Sequence, residues 1–245
     1  MIKIEKTEIF GWEAAIRGMR NPLESWNQGD SENKYWCTSL GVDEKPHYCT
    51  KCGFDQCYPF IGKPDYVIGE NDLNLMKRLS KAGNDHGKYL RFIDVTCDIT
   101  APLYWWKEFD TYKVGTVANS CSTMHKIHAK KFTLDDFSHE HLTTIVNKNG
   151  FWCDGKQVLQ RFVDALNFAR EIYLETKDKT HWWQMIQLLP SSYNQKRTLQ
   201  LNYQVLKNMY HARKNHKLDE WHDFCKWCEG LPYFKEICVE VVDHE

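Results

Sequence analysis

The chain has 245 residues, 42% of them hydrophobic and ten of them tryptophan, so it can bury a sizeable core without disulfide or metal staples. Its 32 basic and 33 acidic residues nearly cancel, which excludes a nucleic-acid-binding protein held by a broad basic surface. No N-terminal apolar run resembles a signal peptide, and no stretch of about eighteen apolar residues could cross a bilayer. We therefore expect a cytoplasmic protein that binds neither nucleic acid nor membranes.

The first third of the sequence predicts a strand, a helix, a long irregular segment and a second helix. Residues 2–10 alternate as a β-strand does, and residues 11–20 are helix formers that stop before a proline. Residues 21–68 are rich in Asn, Asp, Gly, Pro and Cys and have no period, which indicates a loop or insertion. The next helix begins at Asn71 as its N-cap and stops at Gly83.

Four of the ten cysteines are grouped in this insertion, at about residues 31–66. The four are Cys37, Cys49, Cys52 and Cys57. The central pair has the Cys-x-x-Cys spacing of zinc ligands, and a thiolate-rich zinc site would order the loop and present a docking surface to a partner. A reduced insertion without metal accounts for the same residues, and both interpretations stay open. The separate pair Cys225 and Cys228 lies one helical turn apart, where packing as small apolar side chains is the simpler account.

The remaining two thirds of the sequence predict one strand and several helices. Residues 93–99 alternate apolar and polar as a strand does, and Pro102 begins a short aromatic helix. Residues 110–126 are small, polar and Gly-containing, which is typical of a binding loop. Helices are predicted near residues 135–147, 156–177, 180–189, 195–214 and 218–230. The order of elements predicts a single α+β domain over residues 1–245, with a small mixed or antiparallel sheet and a helical second half.

The predicted helix over residues 195–214 carries two strongly polar residues on its apolar side. Eleven positions separate Asn202 from Arg213, which places them about 20° apart on a helix. An unpaired guanidinium costs several kcal/mol or more to bury, so Arg213 must contact a carboxylate, carbonyl groups or a ligand. The simplest partner for Arg213 is the carboxylate of Glu108 or Asp110, in an ion pair. The alternative is a ligand bound in a pocket.

Considered together, three segments resemble the flavin-dependent thymidylate synthase family in order and spacing. The family's His, Ala-Pro and Arg-His-Arg motifs correspond in position to His86, Ala101-Pro102 and Thr111-Tyr112-Lys113 of this sequence. The downstream motif is matched by Leu189-Pro190, Asn202, Gln204, Asn208 and Arg213, with Gln204 in place of an arginine. The family's polar loop is matched by Asn119, Ser120 and Ser122 if one residue is inserted. The resemblance covers roughly residues 70–230, and the cysteine-rich insertion is outside it.

Several basic residues of the family's pattern are missing from this sequence. Thr-Tyr-Lys replaces two guanidinium groups by one ammonium, and lysine does not make the bidentate contacts of arginine. Met124 and Ile186 occupy the places of two further arginines, of which the second contacts the nucleotide phosphate in the family. Phosphate binding must then come from other residues, for which Lys113, Lys126, Lys196 and Arg197 are candidates.

The resemblance implies a flavoenzyme that moves a one-carbon unit from methylenetetrahydrofolate to C5 of dUMP, with reducing equivalents passing from NADPH through FAD. It implies a homotetramer, because the family builds its sites between subunits. It assigns the chemistry and substrate contacts to His86, Lys113, Ser122 and Arg213. It assigns FAD binding to His86, Thr111, Tyr112, Lys113, Asn119, Asn202, Gln204 and Asn208. Two alternatives stay open, a related flavoenzyme that makes another modified pyrimidine and a family-derived binding or regulatory protein without catalysis.

Overall fold

The structure of the protein is a computed structural model, and it describes residues 2–34 and 65–240. The strands are β1 (Lys3–Phe10), β2 (Glu32–Lys34), β3 (Asp65–Val67), β4 (Asp94–Pro102), β5 (Val117–Ser120), β6 (Thr144–Val146), β7 (Trp152–Asp154) and β8 (Asn194–Asn202). The α-helices are α1 (Trp12–Arg20), α2 (Glu70–Lys81), α3 (Leu103–Phe109), α4 (Thr123–Lys126), α5 (Gly155–Thr176), α6 (Lys179–Leu188), α7 (Tyr203–Arg213) and α8 (Asp219–Glu229). The predicted α+β class, with a small sheet and a helical second half, is confirmed.

The chain divides into two units. The first unit contains residues 1–9 and 94–231, and with them the main sheet and helices α3 to α8. The second unit contains residues 10–93 and 232–245, and with them α1 and α2. Within the described residues, every helix is too short or too polar to cross a membrane.

The main sheet has the strand order β1-β4-β8-β5, and its two faces differ sharply. Side chains alternate between the faces, so one face of β4 carries Val95, Cys97, Ile99 and Ala101, all buried. The other face of β4 carries aspartates and threonines. Because β4 and β8 pair antiparallel from Asp94 opposite Asn202 to Pro102 opposite Asn194, the polar residues of both strands share one face. This polar face continues into β5, where Asn119 is opposite Thr198.

The predicted helix over residues 195–214 is wrong in its first half, which forms β8. Leu199 and Leu201 are buried while Thr198 and Gln200 are exposed, a two-residue period that fits a strand between β4 and β5. Asn202 is instead the N-cap of α7, where its side-chain oxygen accepts a hydrogen bond from Val205 N at 3.0 Å. Asn202 and Arg213 therefore lie at opposite ends of α7, and the predicted shared helical face does not exist.

Two further predictions in the first unit need correction. The predicted helix near residues 135–147 is only the 3-10 turn Leu134–Asp136 followed by β6, and the backbone becomes extended at Phe137, where the turn ends. The predicted loop over residues 110–126 contains β5 and α4. Cys225 and Cys228 are buried in α8 as predicted, and burial raises the pKa of Cys225 to about 11.

Aromatic side chains of α3 and α8 pack together beneath the sheet. Trp105 contacts Trp106, Trp221 and Phe224, with ring centroids 4.9, 4.7 and 5.9 Å away. All four are buried, and contacts of this kind add to the hydrophobic free energy of burial. A second core lies between α5 and α6. There Asn167 Oδ1 accepts a hydrogen bond from the Phe132 N–H, and Asn167 Nδ2 donates one to the Phe132 carbonyl, both at 2.9 Å.

The second unit is organised around a buried ion pair between Arg20 at the end of α1 and Asp72 in α2. Arg20 Nε donates to Asp72 Oδ1 at 2.6 Å, and its other nitrogens donate to Ser25 and Gln28. The second oxygen of Asp72 accepts the N–H groups of Asp30 and Ser31, both at 3.0 Å. The pair therefore holds the loop after α1 against α2.

Helix α2 begins at Glu70, and its N-terminus is capped by a side chain from far away in sequence. The Asp30 carboxylate accepts the N–H groups of Asn71 and Asp72 at 2.8 and 3.0 Å, so the predicted cap by Asn71 is wrong. Burial raises the pKa of Asp30, but these hydrogen bonds outweigh it and hold the pKa below its usual value. Gly69 is required here, because a Cβ would lie 2.2 Å from Asp30.

We expect Asp72→Ala to destabilise the second unit by about 3–5 kcal/mol, because it leaves the buried Arg20 guanidinium without its carboxylate. Urea unfolding followed by circular dichroism measures the loss. Asp85→Ala, at an exposed position of the same unit, is the matched control and should change the free energy of unfolding little. Equal stability of the two variants would show that the Arg20–Asp72 pair does not hold this unit together.

Candidate functional site

Arg213, the last residue of α7, is held by a carboxylate and a phenol from the segment around α3. Its Nη1 donates to Glu108 Oε2 at 2.6 Å, and its Nε donates to the Tyr112 hydroxyl at 2.9 Å. Its guanidinium carbon lies 4.8 Å from the Trp221 ring centroid and 5.5 Å from that of Tyr112. The expected ion pair with Glu108 is confirmed, while Asp110 pairs instead with Arg197 at 2.6 Å.

Glu108 Oε2 accepts three hydrogen bonds at once. Besides Arg213, it accepts from Trp221 Nε1 at 3.2 Å and contacts His216 Nε2 at 3.1 Å. The Leu218 N–H donates to His216 Nδ1 at 3.1 Å, so the neutral ring carries its proton on Nε2 and donates it to Glu108. Three donors from α7, the following loop and α8 thus fix one carboxylate, and the carboxylate fixes Arg213.

The guanidinium of Arg213 is not sealed in the core. Its side chain is 18% exposed and that of Glu108 is 34% exposed. The two hydrogen bonds engage only part of the five N–H groups of an arginine. Arg213 therefore presents oriented donors and a positive charge at the surface of the first unit.

The loop between α3 and β5 lies against the start of α7. Gly115 has φ +79°, and a Cβ there would lie 2.8 Å from Val205 Cγ2 and 3.4 Å from Asn202 Nδ2, so the close approach requires glycine. A pocket of about 380 Å³ is lined by Phe109, Asp110, Tyr112, Lys113, Thr116 and Ala118. Thr111 uses its hydroxyl to cap α3, donating to the Glu108 carbonyl at 2.7 Å.

A larger cleft of about 550 Å³ lies where β4 and β8 meet the segment after β5. Its floor includes Ile127, Phe132 and Tyr193, and its rim carries three lysines and several hydroxyl groups. The lysines are Lys126, Lys130 and Lys196, and the hydroxyl groups belong to Thr100, Ser122 and Thr123. Ser122 also caps α4, because its Oγ accepts His125 N at 3.0 Å.

Two of the three lysines of this cleft are ion-paired with aspartates. Lys130 pairs with Asp136, and Lys196 Nζ lies 3.0 Å from Asp98 Oδ2. The hydrogen bond to Asp98 raises the pKa of Lys196, so that amine stays protonated at neutral pH. Hydrogen bonds from Thr198 and Lys196 in turn lower the pKa of Asp98, which lies in the polar face of the sheet.

Several residues of the predicted site belong to the first unit. Tyr112 contacts Arg213, Gly115 brings the loop to Asn202, and Asn119 is on the polar face of the sheet. Gln204, implied as an FAD contact, is buried, and its Nε2 donates to Asn208 Oδ1 at 3.0 Å. His86 belongs to the second unit and is exposed at the start of the 3-10 turn Gly87–Arg91.

No cluster of three His, Cys, Asp or Glu side chains within residues 2–34 and 65–240 is suited to hold a metal ion. The predicted zinc ligands Cys37, Cys49, Cys52 and Cys57 lie outside the described residues. Sequence reasoning missed His216 and Trp221 as members of the site, and only the tertiary structure identifies them. Trp221 is part of an ordinary amphipathic helix and His216 is in the loop before it, and neither belongs to a sequence motif.

No protein-family model matches this sequence, and no curated protein matches it. Solved structures do match its fold. Thymidylate synthase X (ThyX) from Helicobacter pylori, solved with FAD and dUMP, is 16% identical, with a TM-score of 0.61 over 100% of both chains. A second structure of the flavin-dependent ThyX of that organism, complexed with FAD and dUMP, has 16% identity and a TM-score of 0.60, covering 98% of this chain and 100% of that one.

The UMP/dUMP methylase PolB from Streptomyces cacaoi, bound with 5-Br dUMP, is also similar in fold. It is 14% identical, with a TM-score of 0.53 over 94% of this chain and 89% of that chain. The chain therefore has the fold of flavin-dependent thymidylate synthases, as the sequence resemblance implied.

We expect Glu108→Ala to reduce the free energy of unfolding by about 1–2 kcal/mol, between the values for exposed and buried ion pairs. The substitution removes the acceptor shared by Arg213, Trp221 and His216. Lys107→Ala, at the exposed preceding position of α3, is the control and should have little effect. Urea unfolding monitored by tryptophan fluorescence gives both values, and an unchanged Glu108→Ala would show that the carboxylate is dispensable for this arrangement.

Proposed function

We propose that this chain is a flavin-dependent enzyme that transfers a one-carbon unit from methylenetetrahydrofolate to C5 of dUMP. The observation that carries the proposal is Arg213, held by Glu108 and Tyr112 and partly exposed in a fold whose solved examples contain FAD and dUMP. The sequence motif that led to Arg213 and the fold that surrounds it are separate lines of support.

Residues of β5, of the loop before it and of the start of α7 have the chemistry that FAD and a pyrimidine nucleotide require. Asn119 and Asn202 supply amide groups, and Lys113 supplies a cation beside the pocket that Tyr112 lines. In the proposal these groups hold FAD, which supplies the oxidation and reduction chemistry when bound. Gly115 brings the backbone of the same loop close to Asn202 at the start of α7.

In the proposed reaction Arg213 binds the pyrimidine ring and stabilises negative charge on a ring carbonyl. A guanidinium fixed in advance by Glu108 stabilises developing charge without further reorganisation, which is the main electrostatic contribution that an enzyme makes. Lysine cannot replace it, because a single ammonium lacks the planar fork whose two N–H groups donate to neighbouring acceptors at once. No cysteine nucleophile is needed for this role.

Phosphate recognition differs from the family pattern in this proposal. Ile186, in the place of a phosphate-binding arginine, packs against the core between α5 and α6, so it has a structural role here. Lys126 and Lys196 line the larger cleft together with Ser122, and they supply the cations and hydroxyl group that a nucleotide phosphate needs. NADPH as the reductant, His86 beside the flavin and Gln204 and Asn208 as flavin contacts remain part of the proposal through the family resemblance.

Oligomeric state and metal content are also part of the proposal. The family resemblance predicts a homotetramer with sites between subunits, and the cysteine-rich insertion predicts a structural zinc ion or a metal-free loop. Metal analysis of the purified protein separates these two interpretations: one zinc per chain that is lost in Cys49→Ser supports the first. A protein without zinc after purification free of chelators supports the second.

We expect the purified protein to show visible flavin absorption, or to gain it on addition of FAD, and to unfold at a higher temperature with FAD. Arg213→Ala should weaken dUMP binding at least about tenfold, because it removes charged hydrogen bonds to the ring. Isothermal titration calorimetry with dUMP measures the affinity. Arg91→Ala, exposed in the second unit, is the control and should bind dUMP like the parent chain. Absence of any FAD effect on spectrum and stability would refute the flavoprotein assignment.

A second candidate is a family-derived nucleotide-binding protein without catalysis. It is favoured by one observation, that Lys113, Met124 and Ile186 stand where the family has arginines. We expect the chain, incubated with FAD, NADPH, methylenetetrahydrofolate and dUMP, to release dTMP, identified by mass spectrometry. A different modified nucleotide would establish the related flavoenzyme instead. Binding of dUMP without any product, together with failure to rescue a thymidine-requiring strain, would establish the non-catalytic protein.

A further inference from the structure

The carboxylate of Glu108 is occupied on one of its two oxygens only. Oε2 contacts Arg213 Nη1 at 2.6 Å, Trp221 Nε1 at 3.2 Å and His216 Nε2 at 3.1 Å. Oε1 has no hydrogen-bond partner within residues 2–34 and 65–240, and it is not one of their buried unpaired polar atoms, so it faces solvent. A carboxylate oxygen only accepts, so whatever binds Oε1 must donate a hydrogen.

Arg213 has an open group of the opposite kind at the same place. Its Nε donates to the Tyr112 hydroxyl at 2.9 Å, and its Nη1 donates to Glu108. Nη2 has no hydrogen-bond partner in the part of the chain that the structure describes, and it is not a buried unpaired atom either. Because Nη1 and Oε2 are only 2.6 Å apart, an open donor of Arg213 lies beside an open acceptor of Glu108.

The contact between the two side chains is made end-on. A guanidinium and a carboxylate often pair through two parallel hydrogen bonds, which would use Nη2 and Oε1 as well. Here the ion pair joins Nη1 to Oε2. Oε2 is held from the other side by Trp221 and His216, and the Trp221 ring lies 4.8 Å from the guanidinium carbon of Arg213. The open donor and the open acceptor are therefore fixed where a ligand can contact both.

We propose that Glu108 is a specificity-determining residue whose Oε1 accepts the N3–H of a uracil ring, while Arg213 donates to the neighbouring ring carbonyl. The inference rests on the proposed function, in which Arg213 binds this ring. Uracil presents a carbonyl acceptor beside an N–H donor, which complements a donor beside an acceptor. Cytosine in the same position has a bare ring nitrogen in place of the N–H, so a lone pair faces the carboxylate.

The discrimination between the two bases follows from the cost of unsatisfied polar groups. An acceptor that is covered by a ring and faces another acceptor loses its water and gains no hydrogen bond. A site that hydrogen-bonds its ligand therefore rejects an analogue without the matching group more strongly than an apolar pocket does. Because Arg213 balances the charge of Glu108, the carboxylate adds no net repulsion toward an anionic nucleotide.

The ratio of two affinities separates this role of Glu108 from its structural role. Isothermal titration calorimetry of the full chain in the presence of FAD gives the dissociation constants of dUMP and dCMP. We expect the parent chain to bind dUMP at least about tenfold more tightly than dCMP. Glu108→Gln should bring the two affinities to within about threefold of each other, because an amide accepts from uracil or, after rotation, donates to cytosine.

Asp219→Asn is the matched control, because it neutralises an exposed carboxylate of α8 that contacts only His141 and His222. It should keep the parent ratio of affinities. Circular dichroism verifies that Glu108→Gln is folded. A second ligand needs no substitution: 3-methyl-dUMP, which carries a methyl group on N3, should bind the parent chain at least about tenfold more weakly than dUMP.

Each failure has a distinct outcome. Equal weakening of dUMP and dCMP binding in Glu108→Gln, with the parent ratio kept, would overturn the inference and leave Glu108 only as a support for Arg213. Equal binding of 3-methyl-dUMP and dUMP by the parent chain would overturn it as well, even if Glu108→Gln does not fold. A parent chain that binds no dUMP, with or without FAD, would refute the proposed function itself.

Discussion

The arrangement of the first unit around its candidate site depends on one ion pair, between Arg213 and Glu108. The pair joins the end of α7 to the end of α3, and Trp221 and His216 add donors to the same carboxylate oxygen. A partly buried guanidinium needs a fixed acceptor, and a carboxylate with three donors is held without freedom to turn away. The interaction that satisfies Arg213 also orients its remaining N–H groups, so stability and binding chemistry come from the same contact.

The aromatic core explains why this pair can keep a defined geometry at a partly exposed position. Trp105, Trp106 and Phe224 are buried around Trp221, and the Trp221 ring in turn lies under the guanidinium. A rigid ring provides a cation–π surface and one N–H donor at fixed positions. The Tyr112 hydroxyl accepts a hydrogen bond from Arg213 Nε at 2.9 Å. The phenol therefore fixes a second nitrogen of the guanidinium.

Two ion pairs of the protein, Arg20 with Asp72 and Lys196 with Asp98, differ in their surroundings. Arg20 and Asp72 in the second unit are fully buried, and all of their contacts are to loop and helix of that unit, which is the pattern of a structural pair. Lys196 instead pairs with Asp98 of the polar face of the sheet and also lines an open cleft. Solvent exposure, more than charge, distinguishes the structural pair of Arg20 and Asp72 from the candidate binding group Lys196.

Local sequence patterns predict the α+β class, the strand β4 and the helices α2, α5, α6 and α8 with small errors at their ends. They also predict that Arg213 needs an acidic partner, for which Glu108 and Asp110 were both candidates. These follow from local periodicity and from the cost of burying a charge. The same patterns place a helix over β8, because a nine-residue strand followed directly by a helix has apolar residues that also satisfy a helical period. Only pairing with β4 and β5 decides between the two. The joint acceptance of three donors by Glu108, the cap of α2 by Asp30 and the lysine-lined cleft likewise depend on residues distant in sequence. These features are visible only in the tertiary structure, because hydrogen bonds between residues far apart in sequence leave no local sequence pattern.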